Sequence, residues 1–175
     1  MAFVSNNITL TGLTQADEAD IVSCMQDKEI SDSTGRIPYP YTIEHAKLWI
    51  EDNLIFEEEN GFKRNYAIRN EAGKMIGCIG LHFNYGYESD KSEFGYWLGK
   101  PYWNRGIMTE AIKLFATLVL QRYKVNTLEA HVFDFNEASQ KVLVKAGFTK
   151  YEFIQDYYEK DGKKISAIKF ALTLV

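Results

Sequence analysis

Strand-like and helix-like patterns alternate along the whole chain, and this alternation is the feature that most constrains its fold. Residues 7–13, 92–98 and 127–133 show the alternation or the β-branched enrichment of strands, whereas residues 109–123 place apolar side chains at helical spacing. Chains in which strands alternate with helices form layered structures around a sheet. The sequence therefore predicts an α+β (mixed α/β) fold with a mixed sheet and flanking helices.

Capping and turn residues predict where the other elements begin and end. Thr14, followed three residues later by Asp17, is typical of a helix start. Thr42 begins a second helix, and Gly61 lies beyond the end of that helix. The prolines in residues 38–41 exclude a helix there and favour an extended loop. Further strands are predicted over residues 66–69, 75–83, 149–156 and 165–174, and a helix between Asn136 and Gly147.

Length, charge and cysteine content exclude several classes of protein. The chain has 175 residues and no composition shift that marks a boundary, so we expect a single domain over residues 1–175. A net charge of -4 argues against general nucleic-acid binding, which needs a basic surface. Cys24 and Cys78 form no CxxC motif, which excludes a structural zinc site and favours two reduced thiols. With no signal-peptide pattern and no long apolar run, the sequence predicts a cytoplasmic protein that does not interact with membranes.

The segment over residues 97–111 is the best candidate for a ligand site. A strand ends, a short turn follows, and a long amphipathic helix begins, whose first amides have no partners within the helix. These donors and the helix dipole favour an anion, the dipole alone by ~0.3–2 kcal/mol. Gly106 permits close backbone approach, and Arg105 and Lys100 add positive charge, which together suit a diphosphate. The alternative is that Gly106 is an ordinary turn residue, since neither a P-loop nor a dinucleotide fingerprint is present.

Several motifs in this region occur together and in a particular order. They are EFGYWL (93–98), PYW (101–103), Gly106, TEA (109–111), NEAS (136–139) and AGF (146–148). Together they resemble the GNAT superfamily of acyl-CoA-dependent N-acyltransferases, and most closely its ribosomal-protein N-terminal (alanine/serine) acetyltransferase-like branch. Residues 38–42 are similar to the substrate loop of that branch. The resemblance spans nearly all of the chain, with its specific motifs between residues 93 and 148.

The resemblance implies a GNAT-like fold whose central, largely antiparallel sheet contains one splayed parallel pair, here residues 92–98 and 127–133. Acetyl-CoA would be the co-substrate in the V-shaped gap between these strands, and no metal would be required. The implied contacts are the backbone of Leu98, Gly99 and Lys100 with pantetheine, the amides of Asn104, Arg105, Gly106, Ile107, Met108 and Thr109 with pyrophosphate, and Asn136 with the pantetheine arm. The chain departs from the family motif Arg/Gln-x-x-Gly-x-Gly/Ala at Trp103 and Met108.

Attack of a primary amine on a thioester requires a neutral amine, so a general base is expected near the splay point. Glu93 is our candidate for this base, because it alternates with Phe94 and faces the other side of the strand. His82, on the neighbouring strand, is a second candidate for the base, and a water held by backbone carbonyls is a third. The alternative for Glu93 is an exposed strand residue without a catalytic role.

Many GNAT enzymes place a tyrosine, the general acid, four residues before the Gly-Phe that ends the last helix. Here that position is Leu143, and the resemblance implies that Ser139 lies near the CoA sulfur instead. The acceptor cleft is expected to be lined by aromatic and polar residues, with Glu88 and Asp90 attracting a cation. The candidates for substrate binding are Tyr39, Tyr41, His82, Tyr85 and Tyr158, with Tyr157 beside them.

The sequence thus predicts an enzyme that transfers an acetyl group from acetyl-CoA to a primary amine by direct attack in a ternary complex. The acceptor would be a protein N-terminus or a small-molecule amine, and a homodimer is compatible with this function. The alternative is a non-catalytic acyl-CoA-binding module that senses or scaffolds. A nucleotide-binding domain without acyl chemistry is disfavoured, because both phosphate fingerprints are absent.

Overall fold

The computed structural model describes residues 3–4 and 7–174. The strands are β1 (Phe3–Val4), β2 (Thr9–Thr11), β3 (Asn65–Arg69), β4 (Met75–His82), β5 (Lys91–Leu98), β6 (Thr127–Phe133), β7 (Thr149–Lys160) and β8 (Lys163–Thr173). The helices are α1 (Glu18–Cys24), α2 (Lys28–Asp32), α3 (Ile43–Asn60), α4 (Ile107–Arg122) and α5 (Glu137–Lys145). Within the described residues the strands form one sheet in the order β1-β2-β3-β4-β5-β6-β8-β7. The predicted mixed α/β fold is confirmed.

The pairing of β5 with β6 is the parallel contact in a sheet whose other described pairs are antiparallel. It runs from Lys91↔Thr127 only as far as Glu93↔Glu129. Beyond that point β5 continues to Leu98 and β6 to Phe133, so the two strands diverge. The predicted splayed pair is therefore confirmed, and the V-shaped gap opens towards the carboxyl ends of both strands.

Each face of the sheet is covered by helices through its own apolar cluster. On one face α4 and α5 pack on β5 and β6 through residues that include Phe94, Phe115 and Leu143. On the other face α1 and α3 pack on β3 and β4 through residues that include Ile21 and Ile50. Each Å² of buried apolar surface stabilises the folded state by about 25 cal/mol, so these two clusters make the main contribution to stability. Helices therefore cover both faces of the sheet, and α4 and α5 pack against the diverging strands.

The predicted helix start at Thr42 is confirmed, whereas Thr14 caps a 3-10 turn over Gln15–Asp17 that leads into α1 and is tied to the sheet. Thr14 donates its backbone N–H to Asp17 Oδ2 at 2.8 Å, in a capping box. The same carboxylate accepts two hydrogen bonds from Arg69, at 2.6 Å and 2.9 Å, and Asp17 is 2% exposed. Thr42 caps α3, which Gly61 ends with a φ of 74°. The start of α1 is therefore fixed to β3 by a bidentate ion pair.

The C-terminal hairpin is longer than predicted. Strand pairing resumes at Tyr158 after an irregular stretch, in which Asp156 has a φ of 53°, and it continues to Lys160. The prediction that the first strand ends at residue 156 was wrong, because Asp156 lies in an irregularity within the strand, after which the pairing with β8 resumes. Tyr158 donates its hydroxyl to Gly35 O at 2.7 Å, and Lys160 donates to Thr34 O at 2.9 Å. The hairpin tip is thereby anchored to the segment that follows α2.

Both cysteines are buried and free, as predicted for reduced thiols. Among the described residues, none of the helices combines the length and the apolar character that crossing a membrane would require.

Candidate active site

The gap between β5 and β6 is the centre of the candidate site. On the far side β5 pairs with β4 from Gly77↔Leu98 to His82↔Glu93. On the gap side, residues 94–98 have no strand partner in the described chain. A strand edge that is open in this way can pair with the amide groups of an extended ligand.

The loop that leaves β5 brings a helix start to the open end of this gap. Asn104 and Gly106 have left-handed backbone, with φ values of 59° and 77°. The first described backbone hydrogen bond of α4 runs from Glu110 N to Gly106 O at 3.1 Å, so the amides of Ile107–Thr109 precede the helical ladder. A Cβ added to Gly106 would meet no protein atom within 4 Å. The loop therefore combines free N–H donors with room for a close ligand, which fits a diphosphate.

The two departures from the family motif have structural roles within the chain. Trp103 donates its indole N–H to Leu98 O at 2.6 Å and so anchors the loop to the end of β5. Met108 is 6% exposed and packs in the core, so its side chain turns away from the loop. Neither residue obstructs the approach to the amides.

The cation that Lys100 was expected to add is neutralised elsewhere. Its Nζ lies 2.6 Å from Glu29 Oε1 and 3.1 Å from Asp27 Oδ2. Arg105, by contrast, is exposed and has no ion-pair partner in the part of the chain that is described. Arg105 is therefore the side-chain cation that this loop can offer to an anion.

The backbone from Leu98 to Lys100, to which the resemblance assigns pantetheine, already forms hydrogen bonds. Leu98 O accepts from Trp103, and Gly99 N donates to Ile76 O at 2.8 Å. Gly99 O accepts from Tyr102 N at 2.9 Å. A ligand at these residues would have to share their carbonyls, so the assignment of pantetheine to them stays a prediction.

Glu93 lies at the apex of the gap in a group of polar side chains that we call the Glu93 cluster: His82, Asn84, Glu93, His131 and Tyr157. Asn84 donates its amide to Glu93 Oε2 at 2.7 Å. His131 Nδ1 lies 3.1 Å from Glu93 Oε1, off the line of a hydrogen bond, and its ring stacks on Tyr157 with centroids 4.7 Å apart. The sheet register places His82 directly across from Glu93.

The surroundings of Glu93 keep it ionised at neutral pH. Burial alone would raise its pKa, but His131, and to a lesser degree His82 and Asn84, hold the pKa below its ordinary value. Burial also lowers the pKa of His82, whose ring is therefore a neutral imidazole at neutral pH. The cluster thus offers a carboxylate beside an unprotonated histidine.

On the opposite face of the gap, two hydroxyl groups meet. Tyr96 lies three residues after Glu93 on β5, so it faces α5, and its hydroxyl lies 2.6 Å from Ser139 Oγ. Ser139 stands in the first turn of α5 and donates its backbone N–H to the Asn136 cap at 3.1 Å. Burial raises the pKa of Tyr96 to about 12. Leu143 is 0% exposed, so its position on α5 belongs to the core.

The residues predicted to bind the acceptor do not all meet. His82 belongs to the Glu93 cluster, and Tyr85 reaches the same face by donating to Glu129 Oε2 at 2.7 Å. Glu129 is in turn paired with Lys169 at 2.8 Å, so its charge is compensated. Tyr158 instead anchors the hairpin, as described above. Tyr39 is exposed and Tyr41 packs beside His45, with ring centroids 5.4 Å apart.

Glu88, expected to attract a cation, forms an ion pair with Lys124. Glu88 and Asp90 are both exposed, and no contact in the described chain brings either carboxylate to the Glu93 cluster. Their proposed role in attracting an amine therefore stays a prediction.

Sequence reasoning overlooked Tyr96 and His131. Tyr96 shares its face with Phe94, and this period-two pattern could have placed it towards α5. His131 lies two residues after Glu129, which the parallel register sets opposite Glu93. No local sequence pattern specifies the register between β5 and β6, so the contact of His131 with Glu93 could not be predicted from the sequence.

A diverging parallel pair, with a helix start at its open end, is the arrangement that the resemblance to acyl-CoA-dependent N-acyltransferases implies. The family model described as acetyltransferase (GNAT) domain matches residues 7–149, and the chain belongs to this family. The uncharacterized N-acetyltransferase YoaA of Bacillus subtilis is 25% identical over 159 residues, which are 90% of this chain and 88% of that protein. The predictions of the family and of an acetyltransferase enzyme are therefore confirmed.

Two solved structures share the fold over almost their whole length. RimL, a ribosomal L7/L12 α-N-protein acetyltransferase in complex with coenzyme A, superposes with a TM-score of 0.86 at 17% identity, covering 99% of this chain and 98% of that one. The microcin C7 self-immunity acetyltransferase MccE, in complex with acetyl-CoA and AMP, gives a TM-score of 0.84 at 18% identity, with 97% and 94% covered. At these identities the likeness concerns the fold.

Proposed function

We propose that this protein transfers the acetyl group of acetyl-CoA to a primary amine by direct attack in a ternary complex. The observation that carries the proposal is the gap between β5 and β6. Glu93 lies at its apex on one face, the Ser139 hydroxyl lies on the other, and the start of α4 stands at its open end. One site thus offers a base, a hydroxyl donor and an anion-binding loop.

The residues around the gap suit acetyl-CoA. The amides of Ile107–Thr109, with Arg105, would hold the diphosphate, and the open edge of β5 would pair with pantetheine. Asn136 uses its Oδ1 to cap α5, which leaves its side-chain NH₂ for the pantetheine arm. This arrangement would bring the thioester close to Ser139.

The chemistry follows from the protonation states. Glu93, ionised at neutral pH, accepts a proton from the amine directly or through a water, at a gain of ~10²–10⁴-fold. The amine nitrogen attacks the carbonyl carbon, the carbon–sulfur bond breaks, and its electron pair stays on sulfur. The thiolate and Glu93 then return to their resting states by exchanging protons with solvent.

The cysteines favour direct attack over a covalent acyl-enzyme. A thiol nucleophile acts as its thiolate. Burial raises the pKa of Cys24 to about 11, and burial raises that of Cys78 as well. Neither side chain is a thiolate at neutral pH, so acetyl transfer through cysteine is disfavoured.

The acceptor is a primary amine, from a protein N-terminus or from a small molecule. Among the proteins that share this fold, RimL is a ribosomal L7/L12 α-N-protein acetyltransferase, which supports the first class. The Glu93 cluster supports no choice between the two, because it recognises the amine itself.

The test is a panel of primary amines offered with acetyl-CoA, with thiol release and the acetylated product measured together. We expect at least one amine to be acetylated, and Glu93→Gln to lower kcat/KM about 10²-fold. Glu129→Gln is the matched control: it stands at the same register position on β6, but its charge is compensated by Lys169. Binding of CoA without transfer to any amine would indicate the non-catalytic module instead.

A further inference from the structure

The hydroxyl pair of Tyr96 and Ser139 is the feature of the gap that the proposed chemistry leaves unexplained. The two oxygens are 2.6 Å apart, although they come from β5 and from α5, 43 residues away along the chain. Asn136 fixes the backbone of Ser139, and Tyr96 packs beside Phe94 with ring centroids 5.8 Å apart. Both hydroxyls are therefore held by rigid elements rather than by loops.

The direction of the hydrogen bond between Tyr96 and Ser139 follows from the donor strengths of the two hydroxyl groups. In the described chain, Ser139 Oγ is the hydrogen-bond partner of the Tyr96 hydroxyl. A phenol is the stronger donor of the two groups, so Tyr96 donates and Ser139 accepts. The Ser139 proton is then directed away from Tyr96 and is available to a third atom.

The site of that third atom is set by the strands. Tyr96 lies in the part of β5 that has left its partner β6, and Ser139 begins the helix that follows β6. The pair thus borders the gap in which the thioester would lie. Polar groups that are fixed where negative charge develops stabilise a transition state, because they need no reorganisation.

We propose that Tyr96 is a positioning residue that orients the Ser139 hydroxyl towards the thioester sulfur and, through it, stabilises the departing thiolate. This inference rests on the proposed acetyl transfer. The electron pair of the broken carbon–sulfur bond remains on sulfur, which accepts a hydrogen bond from Ser139 while Tyr96 donates to Ser139. The thiolate later takes its proton from solvent.

Hydrogen bonding suffices, and complete proton transfer from Tyr96 is not required. A thiol has an ordinary pKa of about 8.5. Burial raises that of Tyr96 to about 12, so the phenol remains protonated beside a thiolate. The pair is a fixed two-hydroxyl donor and not a proton relay.

The test compares Tyr96→Phe, Ser139→Ala and the double variant with wild type. Single-turnover acetyl transfer is measured at saturating acetyl-CoA, with the amine that wild type acetylates fastest in a panel. We expect Tyr96→Phe to slow transfer about 10- to 100-fold, with CoA affinity unchanged within about twofold. The double variant should be no slower than Ser139→Ala, because Tyr96 acts through Ser139.

Tyr66→Phe is the matched control. Its hydroxyl also forms a partly buried pair, 2.9 Å from that of Tyr123, but on the α4 side of β3 rather than at the gap. We expect it to lower the melting temperature as Tyr96→Phe does, while the transfer rate stays at the wild-type value.

Three results would overturn the inference. A Tyr96→Phe variant that transfers at the wild-type rate would show that the phenol is structural. Additive losses in the double variant would show that Tyr96 acts independently of Ser139. Absence of transfer by wild type to any amine would refute the proposed function itself, and this outcome is recognised before any variant is made.

Discussion

The replacement of Gly106 by alanine isolates the contribution of the loop before α4 to CoA binding. In the free protein the added Cβ would meet no atom within 4 Å, so the direct cost is the strain of a non-glycine residue at a φ of 77°. That strain is about 1–2 kcal/mol. For a chain of this size it corresponds to a loss of about 2–8 °C in melting temperature.

Gly73, in the turn between β3 and β4, offers an unusually close control. Its φ is 76°, and a Cβ there would also meet no atom within 4 Å. Gly73→Ala should therefore cost the same strain and the same melting temperature as Gly106→Ala. The two variants differ in whether a diphosphate is expected beside the new methyl group.

CoA affinity is the assay that separates the two variants. If the methyl group displaces the diphosphate from one backbone amide, a hydrogen bond to a charged group worth about 1.5–3 kcal/mol is lost. This corresponds to about 10- to 150-fold weaker binding in Gly106→Ala, measured by calorimetry, and to no change in Gly73→Ala. Equal CoA affinities in the two variants would refute the assignment of the diphosphate to this loop.

Three further predictions concern charged groups. Arg105→Ala should weaken CoA binding less than Gly106→Ala, by calorimetry under the same conditions, because backbone amides supply most of the contact. Asp17→Asn should lower the free energy of unfolding by about 3–5 kcal/mol, because it leaves the guanidinium of Arg69 without its carboxylate. A thermal melt measures this loss, and an unchanged melting temperature would contradict the ion pair. The lowered pKa of Glu93 adds stability that is present above pH ~4.5 and is lost as the pH falls below it. Between pH ~6 and ~3.5, the melting temperature of wild type should therefore fall further than that of Glu93→Gln. Equal decreases in melting temperature would contradict the environment assigned to Glu93.

Elements whose signals are local could be predicted from the sequence. The capping residues Thr14 and Thr42, and the stop at Gly61, act on neighbouring backbone and lie where they were expected. Helix α4 begins at Ile107, two residues before the predicted start, because the left-handed Gly106 serves as its cap. Errors were larger at the C-terminal hairpin, where a bulge interrupts the alternation of β7.

Contacts that depend on register or on docking could not be predicted in this way. The pairing of Lys100 with Asp27 and Glu29 joins segments about 70 residues apart, and it neutralises a cation that the sequence analysis assigned to phosphate binding. Likewise, Tyr96 meets Ser139 only because α5 docks on β5. The motifs predicted a candidate site between residues 93 and 148, whereas the partners of its side chains follow from tertiary structure.

Initial rates over a grid of acetyl-CoA and amine concentrations test direct transfer within the gap most directly. Transfer in a ternary complex predicts double-reciprocal lines that intersect, together with one acetylated amine formed for each thiol released. Parallel lines would indicate a covalent acyl-enzyme and would contradict direct attack. Release of thiol without any acetylated amine would contradict the proposed function.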